Sequence, residues 1–247
     1  AHAEGPTPIS AVLSGLLLNV ALYAVLRFKI LFAANPGAIG PGPLMMSMGL
    51  LSLVFAAFML YRRRDIKRLF AYSSIEHMGI IVFAFGLGGP LANFAGLLHM
   101  VMHSLTKSAI FYAVGHTAQI KGTQKIADIR GLTETHPALG WGLLVGVIAI
   151  AGLPPSGIFM SEFLLVSTAF ASQPALAVVL VFGLLVAFGA LVLRATDIVF
   201  GAPTGNMAPV KVNYLPLYTH LALVLGAGIF LPAPLVGWFQ HVANSLG

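Results

Sequence analysis

Seven long apolar stretches alternate with short segments rich in glycine, proline and charged residues. Each stretch comes close to or exceeds the ~20 residues that a helix needs to cross a bilayer. None shows the alternation of apolar and polar residues that is typical of barrel strands, so the pattern predicts helices. The predicted spans are 8–28, 43–61, 66–87, 92–115, 138–170, 174–200 and 217–240. We therefore expect one all-α integral membrane domain over residues 1–247, with about seven transmembrane helices.

The fifth stretch is too long for one straight crossing, and its middle reads GLPPSG over residues 152–157. Adjacent prolines remove two backbone donors and the glycines loosen the turn, so we predict that the helix is broken at Leu153, Pro154 and Pro155. A break at membrane depth is tolerated where it packs inside protein or lines a wet cavity. A simple proline kink in a packing helix is the alternative.

The composition leads to the same class of protein. Charged residues make up 8% of the 247 residues and hydrophobic ones 58%, whereas a soluble domain carries roughly 25% charged residues. This excludes a soluble enzyme and a nucleic-acid-binding protein. The absence of cysteine excludes disulfides, thiolate-bound clusters and cysteine nucleophiles. We expect no cofactor on this chain.

The 13 lysines and arginines are spread unevenly over the predicted loops. Ten lie in the second, fourth and sixth loops or at the end of the sixth span, two lie beside the first loop, and Lys107 lies inside a span. The positive-inside rule then places the N-terminus of this chain in the cytoplasm and the C-terminus on the outer side. We expect a multi-pass protein of the cell inner membrane.

The first eight residues are polar, carry no cleavable signal and do not begin with methionine. They resemble a loop between two spans more than a natural terminus. We expect the chain to continue a longer protein, with removal of an initiator methionine before Ala1 as the alternative.

Three ionisable residues follow one another at four-residue spacing in the fourth span, namely His99, His103 and Lys107. Such residues drift only slowly around a helix, so the three side chains form one stripe about 12 Å long. Charges at membrane depth are functional candidates by default, and histidine exchanges protons near neutral pH, so the stripe indicates a proton path. A pair of packing histidines, or a metal held by His99 and His103, are the alternatives. We expect no metal, because no cysteine or carboxylate shares the stripe.

Two further spans carry carboxylates. Glu162 lies seven residues after Pro155, where an unwound segment that admits water would let it load and release a proton; a structural salt bridge is the alternative. Glu76 and His77 lie about ten residues into the third span. A proton relay or a bond between helices would satisfy them equally well.

Weaker signals come from neutral or interfacial residues. Asn19 and Ser14 lie in the first span, where they are candidates to line a channel by orienting water or bonding across helices. Lys67 follows Asp65 at the cytoplasmic edge, where a snorkelling pair at the interface is favoured over a channel role.

Four ordered segments resemble the antiporter-like, proton-translocating membrane subunits of respiratory complex I (NADH:quinone oxidoreductase chains M, N and L) and their relatives. They read GPTPISA at 5–11, DIKRLFAYSS at 65–74, HMVMHSLTKS at 99–108 and GLPPSGIF at 152–159. The forms SSIEHMG and HSLTKS are most similar to component F of hydrogenase-4 and to the formate hydrogenlyase type.

The resemblance implies a fold of fourteen transmembrane helices containing two inverted repeats, each with a broken helix and a half-channel. This chain resembles the second half, helices eight to fourteen, with its break as the broken twelfth helix. Lys107 and Glu162 then match the charged residues of the proton-exit half, and His99 and His103 match the histidines before that lysine.

Two departures from the family pattern stand out. Asn19 stands where many relatives carry a lysine between the half-channels, and the glutamate and lysine of the entry half would precede this chain. The implied function is proton translocation in an energy-converting redox complex, through buried lysine, histidine and glutamate, beside other membrane subunits and a peripheral hydrogenase- or dehydrogenase-like arm. A Na⁺/H⁺ antiporter, a subunit that energises bicarbonate uptake, and a structural anchor with a decayed channel are the alternatives.

Overall fold

The computed structural model describes residues 5–35, 37–204 and 211–247, and it is predominantly helical over these ranges. A π-helical turn occupies Leu13–Leu17 and a 3-10 turn Ile126–Asp128. The α-helices are α1 Thr7–Val12, α2 Leu18–Ala33, α3 Gly42–Tyr61, α4 Ile66–Leu87, α5 Gly89–Lys121, α6 Leu132–Thr135, α7 Pro137–Ile150, α8 Gly157–Ser172, α9 Pro174–Phe200, α10 Leu215–Ile229 and α11 Ala233–Ser245.

Helix α5 is the centre of the fold. It is 33 residues long and packs against α1, α4, α7, α8, α10 and α11. Glycines at positive φ, Gly88 at 69° and Gly89 at 78°, make the tight turn that joins α4 to α5. The left-handed Gly122 ends α5. Because so many helices surround α5, polar side chains along it are buried between helices.

Helices α3 and α4 lie in close backbone contact through glycines. A Cβ atom at Gly49 would lie 2.6 Å from the carbonyl oxygen of Gly79, and one at Gly86 would lie 2.6 Å from the amide nitrogen of Met46. Small residues allow this approach in membranes, where van der Waals packing holds helices together. The contact fixes the position of α4, which carries Glu76 and His77.

A side chain at Gly49 should therefore weaken the fold. We expect Gly49→Val to lower the free energy of unfolding by ~1–3 kcal/mol, the usual cost of overpacking. The measurement is thermal unfolding of the detergent-solubilised full-length subunit. Gly226→Val in α10 is the matched control, because a Cβ atom there meets nothing within 4 Å. Equal stability of the two variants would contradict close packing of α3 on α4.

The chain breaks between α7 and α8, as predicted. Helix α7 ends at Ile150 and α8 begins at Gly157, so Leu153, Pro154 and Pro155 lie outside both helices. Ser156 begins α8 by accepting a hydrogen bond from the backbone amide of Phe159 at 3.1 Å. The segment is a true interruption with its own helix cap, and a simple kink is excluded.

Fewer helices than the predicted seven are long and apolar enough by themselves to cross a bilayer. Among the described residues, four qualify: Thr7–Ala33, Gly42–Tyr61, Ile66–Leu87 and Pro174–Phe200. A fifth qualifies if Leu215–Ile229 and Ala233–Ser245 count as one span, although they are bent by 79°. The predicted span 217–240 holds two helices, because the chain leaves α10 at Phe230 and Pro232 precedes the first residue of α11.

Candidate functional site

Buried polar side chains from α4, α5 and α8 meet beside the break. His77 and His99 are hydrogen-bonded, with Nδ1 of the first 2.9 Å from Nε2 of the second. Nδ1 of His99 lies 2.9 Å from Oγ of Ser161. The hydroxyl of Ser161 in turn donates to the carbonyl oxygen of Ile158 at 2.8 Å. Three helices are thus connected by one continuous row of groups, each able to donate or accept a hydrogen bond.

Glu76 lies next to this row at its other end, although its Oε2 atom and Nε2 of His77 make no hydrogen bond within the described residues. Its Oε2 atom lies 3.3 Å from Nε2 of His77, and the two side chains are only 2% and 1% exposed. Burial of a charge is costly unless a partner lies close, so the carboxyl and the imidazole stabilise each other only when they share a proton or a charge pair. The two readings of Glu76 and His77 left open by the sequence, a relay and a bond between helices, both describe this geometry.

The stripe on α5 is buried along its whole length, since His99, His103 and Lys107 are all at most 2% exposed. The His77 and His103 rings lie 5.3 Å apart between centroids. Neither nitrogen of His103 has a hydrogen-bond partner among the residues that the structure describes. The hydrogen bonds of His99 run sideways to α4 and α8, and none of them follows the stripe.

Lys107 is fully buried, and its Nζ atom donates to the carbonyl oxygen of Phe70 at 3.0 Å. The same carbonyl accepts a 3.1 Å hydrogen bond from Ser74, whose hydroxyl lies 2.6 Å from that of Ser14. Lys107 also attracts Glu76 electrostatically. It therefore lies beside two hydroxyls, Ser14 of the first span and Ser74 of α4, and is attracted by the carboxyl of Glu76.

Glu162 lies against the break, as the sequence suggested. Oε2 of Glu162 lies against Gly152, whose φ of +72° is a backbone conformation that favours glycine. Glu76 and Glu162 line one small cavity, of which about 20 Å³ is accessible to the centre of a water molecule. That is enough for one water molecule. The two carboxyls therefore face a common site where water can lie between them.

The three weaker candidates lie at the edges of this site. Asn19 donates to Oγ of Ser104 at 2.7 Å, and thus ties α2 to α5. Ser14 lies in the π-helical turn, a feature frequent at functional sites. Lys67 is 5% exposed and donates to the carbonyl oxygen of Gly5, while Asp65 caps α4. The prediction of a snorkelling pair was wrong, because this lysine is directed into the protein.

Three atoms of the kind that bind divalent metals, from His77, His99 and Glu162, lie within 4.8 Å of one another. The sequence argument against a metal considered only the stripe on α5, whereas here the carboxylate comes from α8. The two imidazoles already satisfy each other through their hydrogen bond, so the grouping requires no metal. The absence of a metal stays a prediction.

Sequence reasoning missed Ser161, Ser74 and the carbonyl of Phe70. Ser161 stood next to Glu162 in the sequence, but nothing indicated which of the two would touch His99. Ser74 has only a hydroxyl to distinguish it from its apolar neighbours. A backbone carbonyl carries no sequence signal.

Residues 1–187 match the family described as NADH:quinone oxidoreductase/Mrp antiporter, transmembrane. The hydrogenase-4 component F homolog of Methylacidiphilum infernorum (isolate V4) is 67% identical over 241 residues, which are 98% of this chain and 51% of that protein. A Na⁺/H⁺ antiporter subunit of Alkalihalophilus pseudofirmus is 32% identical, covering 98% of this chain and 50% of that protein. The chain thus spans about half the length of these curated relatives.

A solved structure has the same fold. It is the membrane-bound sulfane sulfur reductase, an archaeal respiratory membrane complex, and the match has a TM-score of 0.90 at 26% identity. The match covers 99% of this chain and 50% of the one in that complex. The helices described above are therefore arranged as in an integral membrane subunit of a respiratory-type complex.

Proposed function

Because the chain belongs to the NADH:quinone oxidoreductase/Mrp antiporter transmembrane family, we propose that it conducts protons in an energy-converting redox complex, of the hydrogenase or NADH dehydrogenase kind. The observation that carries this proposal is the row from Glu76 through His77 and His99 to Ser161, buried beside the broken helix. Each member can gain or lose a proton, or reorient one, without leaving its place.

The route begins at Lys107 and ends at Glu162. Ser74 and Lys107 donate to the same carbonyl oxygen of Phe70, and the hydroxyl of Ser14 lies against that of Ser74, so these two hydroxyls lie beside the start of the route without being bonded to Lys107. The positive charge of protonated Lys107 stabilises the carboxylate form of Glu76. When Lys107 loses its proton, Glu76 is protonated more easily. The proton then passes along the histidines to Glu162, since one ligand atom each of His77, His99 and Glu162 lies within 4.8 Å of the others.

His103 borders this route without joining it by a hydrogen bond in the described part of the chain. Its ring lies close to that of His77, so it adds a further proton acceptor between Lys107 and the histidine row. Asn19 cannot titrate, and we propose that it and Ser104 hold α2 against α5 so that Ser14 stays in place. Lys67 has the same anchoring role toward Gly5.

Coupling to redox chemistry is electrostatic in this proposal. No residue of the row is a redox group, so electrons travel in partner subunits, which we propose to be a peripheral hydrogenase- or dehydrogenase-like arm and neighbouring membrane subunits. A change of charge in a partner subunit changes the protonation of Lys107. The charge of Lys107 in turn changes the protonation of Glu76, because the medium between them has a low dielectric constant. The chain itself would hold no cofactor.

We propose seven crossings of the cell inner membrane within a single domain. Helices α7 and α8 form one broken crossing, and α10 and α11 form one bent crossing. The N-terminal side of α1 and the C-terminal ends of α3 and α5 face the cytoplasm. In support, Arg62, Arg63, Arg64, Arg68 and Lys125 line one surface, and the amide of Ile126 donates to the carbonyl of Arg64, so two basic loops share one end of the bundle.

Sodium/proton exchange is the second candidate, and a Na⁺/H⁺ antiporter subunit among the relatives favours it. The imidazoles at the centre of the row favour protons over Na⁺, which prefers oxygen ligands. A subunit that energises bicarbonate uptake, and a structural anchor with a decayed channel, make the further alternatives.

The test is ion replacement in vesicles that contain the whole complex. We expect a pH-sensitive dye inside the vesicles to report the same rate of proton uptake whether the buffer holds sodium or choline. Radioactive sodium should not accumulate against its gradient. Sodium-dependent proton movement would support the antiporter instead, and redox turnover without any proton uptake would support the anchor.

A further inference from the structure

A concave basic surface at one end of the bundle contains none of the residues of the buried row. The residues that line it, around a volume of about 660 Å³, are Arg62, Arg63, Arg64, Asp65, Arg68 and Lys125. Asp65 is the only acidic residue among these six, and its carboxylate caps α4 by accepting from the backbone amide of Arg68. Five basic side chains therefore share the surface with a single carboxylate, which leaves it positively charged.

Backbone pairing holds the two parts of this basic surface together. The amide of Ile66 donates to the carbonyl of Gln124 at 2.9 Å. The amide of Ile126 donates to the carbonyl of Arg64, also at 2.9 Å. These bonds form an antiparallel bridge that fixes Lys125 beside the arginines. Two loops that are far apart in the chain thus form one surface, and the fold itself brings their charges together.

The side chains of the basic surface differ in how they are held. Arg63 is fixed, because its Nε donates to the carbonyl of Met59 at 3.1 Å and its guanidinium lies 4.4 Å from the centroid of the Tyr72 ring. Arg62, Arg64 and Lys125 are exposed, and their side chains form no ion pair with any residue that the structure describes. These three cations can therefore bind an anion from outside the chain.

An apolar stripe on α3 leads from the bilayer core to this surface. Leu51, Phe55 and Phe58 are each more than half exposed. Together with Arg62, at the end of α3, they are spaced four, three and four residues apart, which keeps them on one face of the helix. Helix α3 has 20 residues, enough to cross the hydrocarbon, so its end lies at the level of the lipid headgroups.

We propose that the basic surface binds the headgroup of an anionic phospholipid, with one acyl chain along the stripe on α3. Arg62, Arg64 and Lys125 hold the headgroup phosphate, because guanidinium and ammonium groups donate several hydrogen bonds to phosphate oxygens. A zwitterionic lipid has the same phosphate but adds a cation that the arginines repel, so anionic lipids are preferred. An acidic protein segment would match the charge alone and leave the apolar stripe unused. Binding here is independent of proton conduction.

The experiment measures lipid preference at α3 in the whole complex. The complex is reconstituted in phosphatidylcholine vesicles with a minor fraction of phosphatidylglycerol, and in separate samples one of the two lipids carries a photoreactive group on an acyl chain. After illumination, mass spectrometry locates the crosslinks and compares the two lipids at Leu51, Phe55 and Phe58. The site variant is the triple substitution Arg62→Gln, Arg64→Gln and Lys125→Gln.

A second triple variant removes the same charge from elsewhere in the chain. Its substitutions, at exposed basic residues that do not line the surface, are Arg27→Gln, Arg130→Gln and Lys211→Gln. It is the matched control, because it has the same net charge as the site variant. Any difference between the two variants then reports the position of the charges and not their number.

We expect phosphatidylglycerol to be preferred over phosphatidylcholine at the stripe, and the site variant to lower this preference tenfold or more, since one basic residue at a membrane surface contributes about fivefold. The control variant should keep the preference. In the unaltered complex the preference should fall in 1 M salt, which screens charges beyond about 3 Å.

Three outcomes would overturn the proposal. Equal crosslinking by the two lipids in the unaltered complex would show that the surface does not select anionic lipid. An equal loss in both triple variants, or a preference that persists in high salt, would show that these three cations do not bind the headgroup. A carbodiimide crosslink between Lys125 and a carboxylate of a partner subunit would show that an acidic protein segment occupies the surface. None of these outcomes bears on proton conduction, which vesicle uptake measures separately.

Discussion

Lys107→Met should slow proton translocation by the whole complex about a hundredfold, the lower range of what a positioned proton donor contributes. Methionine keeps the length and the apolar stem of lysine but has no proton to give. The Phe70 carbonyl would lose the donor that lies 3.0 Å away, and Glu76 would lose the positive charge that Lys107 carries when it is protonated. Proton uptake into vesicles, measured together with redox turnover, gives the ratio of protons moved to electrons transferred.

A second buried lysine on the same helix provides the control. Lys121 is 4% exposed and donates to the carbonyl of Thr204 at 2.7 Å, much as Lys107 donates to Phe70. It lies 14 residues further along α5, roughly 21 Å away. Lys121→Met should therefore keep its translocation rate. If both variants behave alike, Lys107 is a structural lysine and the route described above is wrong.

The sequence predicted some helices almost to the residue, and the reason is local. Helices α3, α4 and α9 each fill an apolar stretch bounded by proline or charge, and their limits follow from those residues. The break near Pro154 was predicted by the same argument. The bend after α10 was missed, although Pro232 and Pro234 gave the same kind of signal within an otherwise apolar run.

The candidate site was predictable only along one helix at a time. Spacing of four residues placed His99, His103 and Lys107 on one stripe, and all three are buried. The contacts that define the site cross between helices, from His99 to His77 and to Ser161. They depend on how α4 and α8 are rotated and shifted against α5, which tertiary packing decides and the periodicity of a single helix does not.

The difference between Lys67 and Lys107 shows the same limit. Both are lysines within or beside apolar segments, and the sequence assigned the first to the interface because Asp65 was near. Asp65 instead caps α4 by accepting from the amide of Arg68. Lys67 is then free to turn inward to Gly5, a carbonyl 62 positions away in the chain.

Glu162→Gln is expected to have an effect as large as that of Lys107→Met, about a hundredfold slower translocation. Glutamine preserves the shape of the side chain and the packing on Gly152, but its amide cannot take up the proton that leaves His99. The variant should still assemble, because it replaces a partly buried carboxyl by a neutral group of equal size. Redox turnover without proton uptake would locate the loss at the acceptor end of the row.

Two further variants make the Glu162 result specific. Glu162→Asp keeps a carboxyl that lies one methylene further from the water site, so it should recover part of the rate, whereas Glu162→Gln should not. Glu134→Gln, on an exposed side chain of α6, should behave as the unaltered complex does. Full activity of Glu162→Gln would mean that the proton leaves the histidine row by another exit. In that case the cavity between Glu76 and Glu162 is a packing defect, and the break in the helix serves the fold alone.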